Sequence, residues 1–293
     1  MDSYGAYVTH HLIPELGRTR LTKLTPGDVE RFMSAMLAGG SSPRSVNHAR
    51  AVLRKALNDA VRSGVLARNA AALAQGPRVP SVERPVLSPQ DARRFIEGVR
   101  SNHEGALFVL TLACGLRMGE VTGLRWEDLD LRGETLRVRQ ALQRGSGEWR
   151  LVETKSRASR RTLALPDVAI SALQEHRQGQ LRERLGAEEL WGNDWDLVFT
   201  TATGDPLNPS SLTRRFRALL KQIGLPDMRF HDLRHSCASL LIAQGVHARV
   251  IMEQLGHSQI SLTMNTYGHV VAEVQREAAG QMDALLEAES STR

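Results

Sequence analysis

Six side chains set the question. In chain order they are Arg117 in CGLRMGE, Lys155 in ETKSRASRR, His231 and Arg234 in HDLRH, His257 in LGHSQ and Tyr267 in TMNTYGHV. Arginine presents a planar fork of donors that matches phosphate oxygens and never deprotonates. Two such forks can hold a phosphodiester and stabilise the charge that develops as phosphorus becomes five-coordinate. Losing one donor of that kind typically costs roughly 10²–10³ in rate. A tyrosine hydroxyl can be a covalent nucleophile, although a free pKa near 10 leaves only about 0.1% ionised at neutral pH. It then needs nearby cations and a base, which the arginines and His231 can supply. A lysine on a hairpin is a general acid for a leaving alkoxide. Tyr267 stands out by elimination, because the other two of the three tyrosines are Tyr4 and Tyr7 at the N-terminus.

Each of these residues also has an ordinary structural use. Arg117 and Glu120 are spaced as an i,i+3 helix pair. His231 and His235 are spaced i,i+4, a geometry zinc uses, but no Glu lies between them and no third ligand is evident. No metal is therefore expected, and His235 reads as a packing residue. Lys155 can be a solvated turn residue, His257 a helix C-cap beside the carbonyl end of the macrodipole, and Tyr267 a half-buried packing side chain. Taken singly, each ordinary use is sufficient. Taken together they require six coincidences.

The elements that must position these residues are legible in the pattern. The 293 residues hold 41% hydrophobic and 24% charged side chains, a composition that suits a soluble protein of two domains. No apolar run approaches the roughly 18 residues a membrane span needs, and MDSYGAYVTHH has no apolar signal-peptide core. Only two cysteines, Cys114 and Cys237, are present, so a disulfide framework is not expected and a reducing cytoplasm is. The net charge of +6 lies wholly in residues 1–80, which hold 11 Lys+Arg against 5 Asp+Glu; residues 81–293 hold 27 of each. With a pI near 9.9, that asymmetry points to a polyanion such as nucleic acid, although a solvated basic face would also account for it.

The stretch QGPRVPSVERPVLSPQ carries four of the eleven prolines and predicts a linker, placed at 76–87. It divides a helical domain (1–75) from a larger domain (88–293). In the first, Thr25, Pro26 and Gly39 punctuate one helix and Ser42 to Gly64 a second, whose apolar stripe is Val46, Ala49, Leu53, Ala56, Leu57 and Ala60. In the second domain, SPQDARRFIEGVR and ALFVLTLACGLRMGEVTGLRW predict helices. The period then changes to two, so ETLRVRQAL, EWRLVETK and RRTLALP predict three short strands joined by RGSG and SRAS. Arg137 to Arg161 hold eight basic residues against two acidic ones, which makes the hairpin cationic. Helices resume over DVAISALQEHRQGQLRERLG, SSLTRRFRALLKQIG, HDLRHSCASLLIAQG, ARVIMEQLGH and VAEVQREAAGQMDALLEA. The expected class is mainly α with one small antiparallel β-sheet.

The ordered set, with its flanking phrases CGLRMGEVTGLRWEDLD, TKSRASRR, HDLRHSCASLL and IMEQLGHSQISLTMNTYGHV, resembles the active site of the tyrosine recombinases, the phage integrase family. The resemblance covers about 88 to 280, and YVTHHLIPELGRTRLTKLTPGDVERF resembles the core-binding domain of phage-type members. It implies that Arg117 and Arg234 grip the scissile phosphate and that His231 assists proton removal from Tyr267. His257 would donate to a phosphate oxygen, Lys155 would protonate the leaving 5′ oxygen, and Glu120 would orient an arginine or histidine. Tyr267 would form a 3′-phosphotyrosyl link, so rejoining needs no ATP, metal or other cofactor. The implied partners are duplex DNA and three further copies in a homotetramer on paired sites. The C-terminal helix at 271–288 would pack on a neighbour, with an accessory DNA-bending protein as a further partner. The cell location implied is the cytoplasm, bacterial or phage-encoded and nucleoid-associated. The chain is expected to begin inside the first helix of the core-binding domain, at Tyr4 to His11, without the arm-binding domain of many phage integrases.

Affinity should come largely from phosphate contacts and fall steeply with salt. Arg44, Asn47, His48 and Arg50 at the start of the second helix are candidate groove contacts, and Arg157 and Arg160 candidate hairpin contacts. Three other readings stay open at this point. They are a type IB topoisomerase, a non-catalytic DNA-binding derivative, and a zinc-dependent nuclease that a chelator would silence.

Overall fold

The computed structural model describes residues 3–80, 85–145, 147–154 and 159–256, with 279–280, 282–283 and 286 near the C-terminus. The chain forms two compact units, Met1–Glu83 and Arg84–Arg293.

The first unit is helical throughout. Its N-terminal segment runs through α1 (Ser3–Tyr7), a π-turn at Val8–Leu12 and α2 (Ile13–Leu16). A capping box starts α3 (Pro26–Ala38): Asp28 N donates to Thr25 Oγ1 at 3.2 Å, and Thr25 N to Asp28 Oδ2 at 2.8 Å. Ser42 caps α4 (Pro43–Arg62) by accepting from Ser45 N, and a short α5 (Ala70–Leu73) follows. Val29, Phe32, Met33 and Met36 of α3 pack against Val46, Ala49, Val52, Leu53 and Leu57 of α4. The expected α4 stripe is shifted, and Ala60 is only half-buried. Ala56 is exposed and Val52 takes its place, because α5 brings Ala70, Ala71 and Ala74 into the same core.

In the second unit, Ser88 caps α6 (Pro89–Val99), and α7 (Gly105–Cys114) is buried on every side. The expected long helix through ALFVLTLACGLRMGEVTGLRW breaks in two. Gly115 ends α7 in the left-handed region at φ 66°, and α8 (Met118–Thr122) starts afresh at Arg117. An added Cβ at Gly115 would lie 2.5 Å from Leu255 Cδ2, so both the backbone and the packing require glycine.

The sheet region also departs from three strands. The strands β1 (Leu129–Asp130), β2 (Thr135–Val138) and β5 (Arg161–Ala164) form one antiparallel sheet in the order β1-β2-β5. The strands β3 (Gln140–Gly145) and β4 (Glu148–Glu153) form a separate hairpin. The stretch ETLRVRQAL thus becomes two strands with different partners: Leu136 pairs with Leu163, and Leu142 with Leu151. The break falls at Arg139, whose Nε donates to buried Asp128 at 2.5 Å while its carbonyl accepts from Thr154 N at 3.1 Å. From Arg139 onward the backbone pairs with the β4 side instead of with β5.

Among the described residues, four longer helices follow in this unit: α9 (Asp167–Ala187), α10 (Pro209–Gln222), α11 (Asp232–Ala243) and α12 (Ala248–Leu255). Their core closes on an aromatic cluster, with Phe216 at 6.1 Å from Phe95, 5.3 Å from Phe108 and 5.8 Å from Phe230. The expected C-terminal helix at 271–288 lies outside the described residues, apart from helical positions 279–280, 282–283 and 286. Among the described residues, no helix is long and apolar enough to cross a membrane.

Candidate active site

The site is built where two helices end. The break at Gly115 turns the chain so that Arg117 becomes the residue before α8, and the backbone N–H of Arg117 donates to Glu120 Oε2 at 2.9 Å. The same carboxylate, 4% exposed, accepts Arg117 Nη1 at 2.7 Å. Arg117 Nη2 reaches Gly256 O at 3.0 Å, just past α12. The Arg117 side chain stays 38% exposed, so its guanidinium still faces solvent.

Arg234, in the first turns of α11, is 2% exposed. Its Nη1 donates to Gly115 O and its Nη2 to Leu255 O. Those oxygens belong to the carbonyl ends of α7 and α12, so two negative helix termini meet one buried cation. A buried charge needs such compensation, and this one holds α11, α7 and α12 together. His231 stands at the N-cap position of α11, is exposed, and lies edge-on to His235 with ring centroids 5.0 Å apart. Asp232 accepts Arg229 N at 2.8 Å and Arg229 Nη2 at 3.1 Å, which fixes the first turn from the other side.

Sequence reasoning missed Arg161. This residue opens β5, with a side chain 7% exposed. Its Nε donates to Gln254 O at 2.6 Å, and its Nη2 to Glu120 Oε2 at 2.9 Å. Gln254, Leu255 and Gly256 therefore each give their carbonyl to a different arginine: Arg161, Arg234 and Arg117. The one available signal was the pair of arginines that opens the predicted strand RRTLALP, which nothing in one dimension separates from solvated charges. Burial pushes the Glu120 carboxyl up, but hydrogen bonding from Arg161, the charge of Arg161, and the N–H and charge of Arg117 outweigh it. The group is held below the ordinary carboxylate value.

The structure thus brings Arg117, Glu120 and Arg234 to one helix end, with His231 one turn from Arg234. Lys155, Arg157, His257 and Tyr267 lie outside the described residues. Arg160 is exposed and pairs with Glu153. In the first unit, Arg44 is exposed, and exposed His48 lies 4.7 Å from the ring of Tyr7. Asn47 and Arg50 are turned inward to the chain's own carbonyls. Asn47 Nδ2 donates to Pro77 O at 2.8 Å, and Arg50 Nη1 to Ala74 O and to Ala71 O at 3.4 Å. Both tie the segment after α5 to α4, a use that competes with reading a groove. Among the described residues, no group of three or more His, Cys, Asp or Glu could hold a metal ion.

The comparison with known families decides the kind of protein. Residues 85–273 match the phage integrase family. The chain belongs to that family. This recombinase is 29% identical to a "Tyrosine recombinase XerC-like" protein of Caldanaerobacter subterraneus, over 96% of this chain and 76% of that one. It is 31% identical to an integrase of Streptomyces ambofaciens, over 94% of this chain and 72% of that one. Its fold is that of the Tn1549 transposon integrase solved with transposon right-end DNA, at a TM-score of 0.79 and 21% identity, covering 94% and 92% of the two chains. The recombinase is a DNA strand transferase, a site-specific enzyme of mobile-element integration.

Proposed function

We propose that the recombinase cuts one strand of duplex DNA at a time by attack of Tyr267 on the scissile phosphate, leaving a 3′-phosphotyrosyl link and a free 5′ hydroxyl. Arg117 and Arg234 hold non-bridging oxygens and neutralise the charge of the five-coordinate state. His231 takes the tyrosine proton, His257 donates to a phosphate oxygen, and Lys155 protonates the departing 5′ oxygen. Attack by a 5′ hydroxyl from another duplex reverses these transfers and releases Tyr267, so the bond energy is conserved without ATP or metal. The observation that carries this reading is the convergence of three arginines on the carbonyls of Gln254, Leu255 and Gly256, just before His257, with Glu120 holding two of the three. Fixing that helix end in a cationic frame sets the origin of the segment that leads to His257 and Tyr267.

Strand exchange between two duplexes breaks four strands, and one nucleophile per chain calls for four copies, with the helix at 271–288 reaching a neighbour. The basic first unit, residues 1–75, supplies phosphate contacts on duplex DNA, with Arg44, His48 and the hairpin residues Arg157 and Arg160 in the same role. The linker at 76–87 lets both domains grip one duplex, and the enzyme works in a bacterial or phage-infected cytoplasm, with an accessory bending protein where its site requires one. The test is trapping on nicked DNA from the sites flanking its gene, in EDTA and without ATP, comparing wild type with Tyr267→Phe. A covalent adduct lost in the variant is the expected result. An adduct that persists in Tyr267→Phe removes the nucleophile assignment, and one abolished by EDTA favours a metal nuclease.

A further inference from the structure

Arg161 has no part in the chemistry assigned above, yet it is closely engaged with the residues that do. Its Nη1 and Nη2 lie 3.2 and 2.9 Å from the two oxygens of Glu120, and its Nε 2.6 Å from Gln254 O. Glu120 in turn holds Arg117 through its backbone N–H and its guanidinium, at 2.9 and 2.7 Å. One buried carboxylate therefore serves two guanidiniums.

The charge balance gives this arrangement a consequence. With Arg117 alone, Glu120 would make a neutral pair, and Arg117 would meet a phosphate with its field largely cancelled. Arg161 offsets the carboxylate, so the three groups together carry one net positive charge, and the exposed member of the three is Arg117. Position matters as much as charge. Arg161 follows Lys155 by six residues in the chain, and its acceptor Gln254 precedes His257 by three. A single side chain ties β5, α8 and the end of α12 to the same carboxylate.

We infer that Arg161 is a positioning residue for strand cleavage. It offsets Glu120, so that Arg117 acts on the phosphate as a full cation, and it pins the end of α12 against β5. The inference rests on the recombinase reading above, in which Arg117 grips the scissile phosphate. A purely structural ion pair would behave otherwise, because an apolar replacement of similar volume often restores the stability such a pair gives.

The experiment measures single-turnover adduct formation on nicked DNA at saturating protein, alongside DNA Kd and thermal unfolding. The full chains compared are wild type, Arg161→Met, Arg161→Lys and the double variant Glu120→Gln/Arg161→Met. Arg161→Met should slow adduct formation by about 10²-fold, of the order seen when a charge-stabilising donor is lost, with Kd changed by less than about threefold. Arg161→Lys, which keeps the charge, should recover at least about tenfold of that. The double variant removes the carboxylate together with its offset, so it should also cleave faster than Arg161→Met, whether or not that single variant folds well. Arg161→Met that folds and cleaves like wild type overturns the inference. So does a lysine or double variant that folds but cleaves no faster than Arg161→Met. A wild type that binds DNA yet gives no Tyr267-dependent adduct overturns the recombinase reading, and the inference with it.

Discussion

Replacing Gly115 by alanine tests whether the turn between α7 and α8 is what brings the arginines together. Gly115 has φ 66° and ψ 34°, and a left-handed conformation costs a residue with a Cβ roughly 1–2 kcal/mol. The added Cβ would lie 2.5 Å from Leu255 Cδ2 and 3.3 Å from Cys237 Sγ. Leu255 is fully buried, so its methyl cannot swing into solvent, and over-packing of that kind costs about 1–3 kcal/mol. Together these give a loss of about 2–5 kcal/mol, which for a unit of this size lowers Tm by roughly 2–4 °C per kcal/mol. Chemical denaturation followed by tryptophan fluorescence reads the loss directly. The contact part should vanish in a Leu255→Val background, which lacks the clashing methyl, leaving only the conformational part of about 1–2 kcal/mol. Arg234 bonds both Gly115 O and Leu255 O, so adduct formation in Gly115→Ala should fall further than its stability loss alone explains. A Gly115→Ala protein within about 0.5 kcal/mol of wild type would refute the reasoning.

Five further outcomes follow from other parts of the structure. Glu120 is held below its ordinary value, so its contribution to stability is whole above about pH 4.5 and is lost as the pH falls through the lower folded value. The Tm gap between wild type and Glu120→Gln should therefore narrow on acidification below that pH. His103 is held above 6.5, chiefly by hydrogen bonding to Glu104, against the cost of burial and with help from Glu183. Its contribution is whole below about pH 6.5 and fades as the pH rises through the folded value, so His103→Gln should lower Tm more at pH 6 than at pH 8.5. Burial pushes the Cys114 and Cys237 thiols up to about 12, so iodoacetamide at pH 8 should leave both unmodified until the protein is unfolded. Arg50→Ala should destabilise the first unit by about 1–3 kcal/mol, because the carbonyls of Ala71 and Ala74 lose a charged donor. Arg44→Ala should instead leave Tm unchanged and reduce the slope of log K against log salt by about 0.9.

The sequence by itself determined the kind of chemistry and most of the scaffold. Residue type limits the chemistry on offer: two arginines, a lysine, histidines and one tyrosine away from the N-terminus suit phosphoryl transfer if the fold brings them together. Local rules are also written in one dimension. The capping residues Thr25, Ser42 and Ser88 each start the helix their position predicts, because the cap bond spans only three residues. What lies between distant segments was not legible. Periodicity through CGLRMGEVTGLRW continues as one helix, whereas the chain leaves α7 at Gly115, in the left-handed region and close against Leu255. Asn47 and Arg50 look like groove readers in the sequence, yet their acceptors lie 21 to 30 residues away, in the segment that folds back on α4. Arg161 reads as one more charge at the start of a predicted strand. Only the tertiary structure places it between Glu120 and the end of α12, since a carboxylate 41 positions away and a carbonyl 93 positions away leave no trace in the local pattern. Hydrogen bonds and burial act over a few ångströms of space whatever the distance along the chain, so the fold had to decide which cations are solvated and which are built into the site.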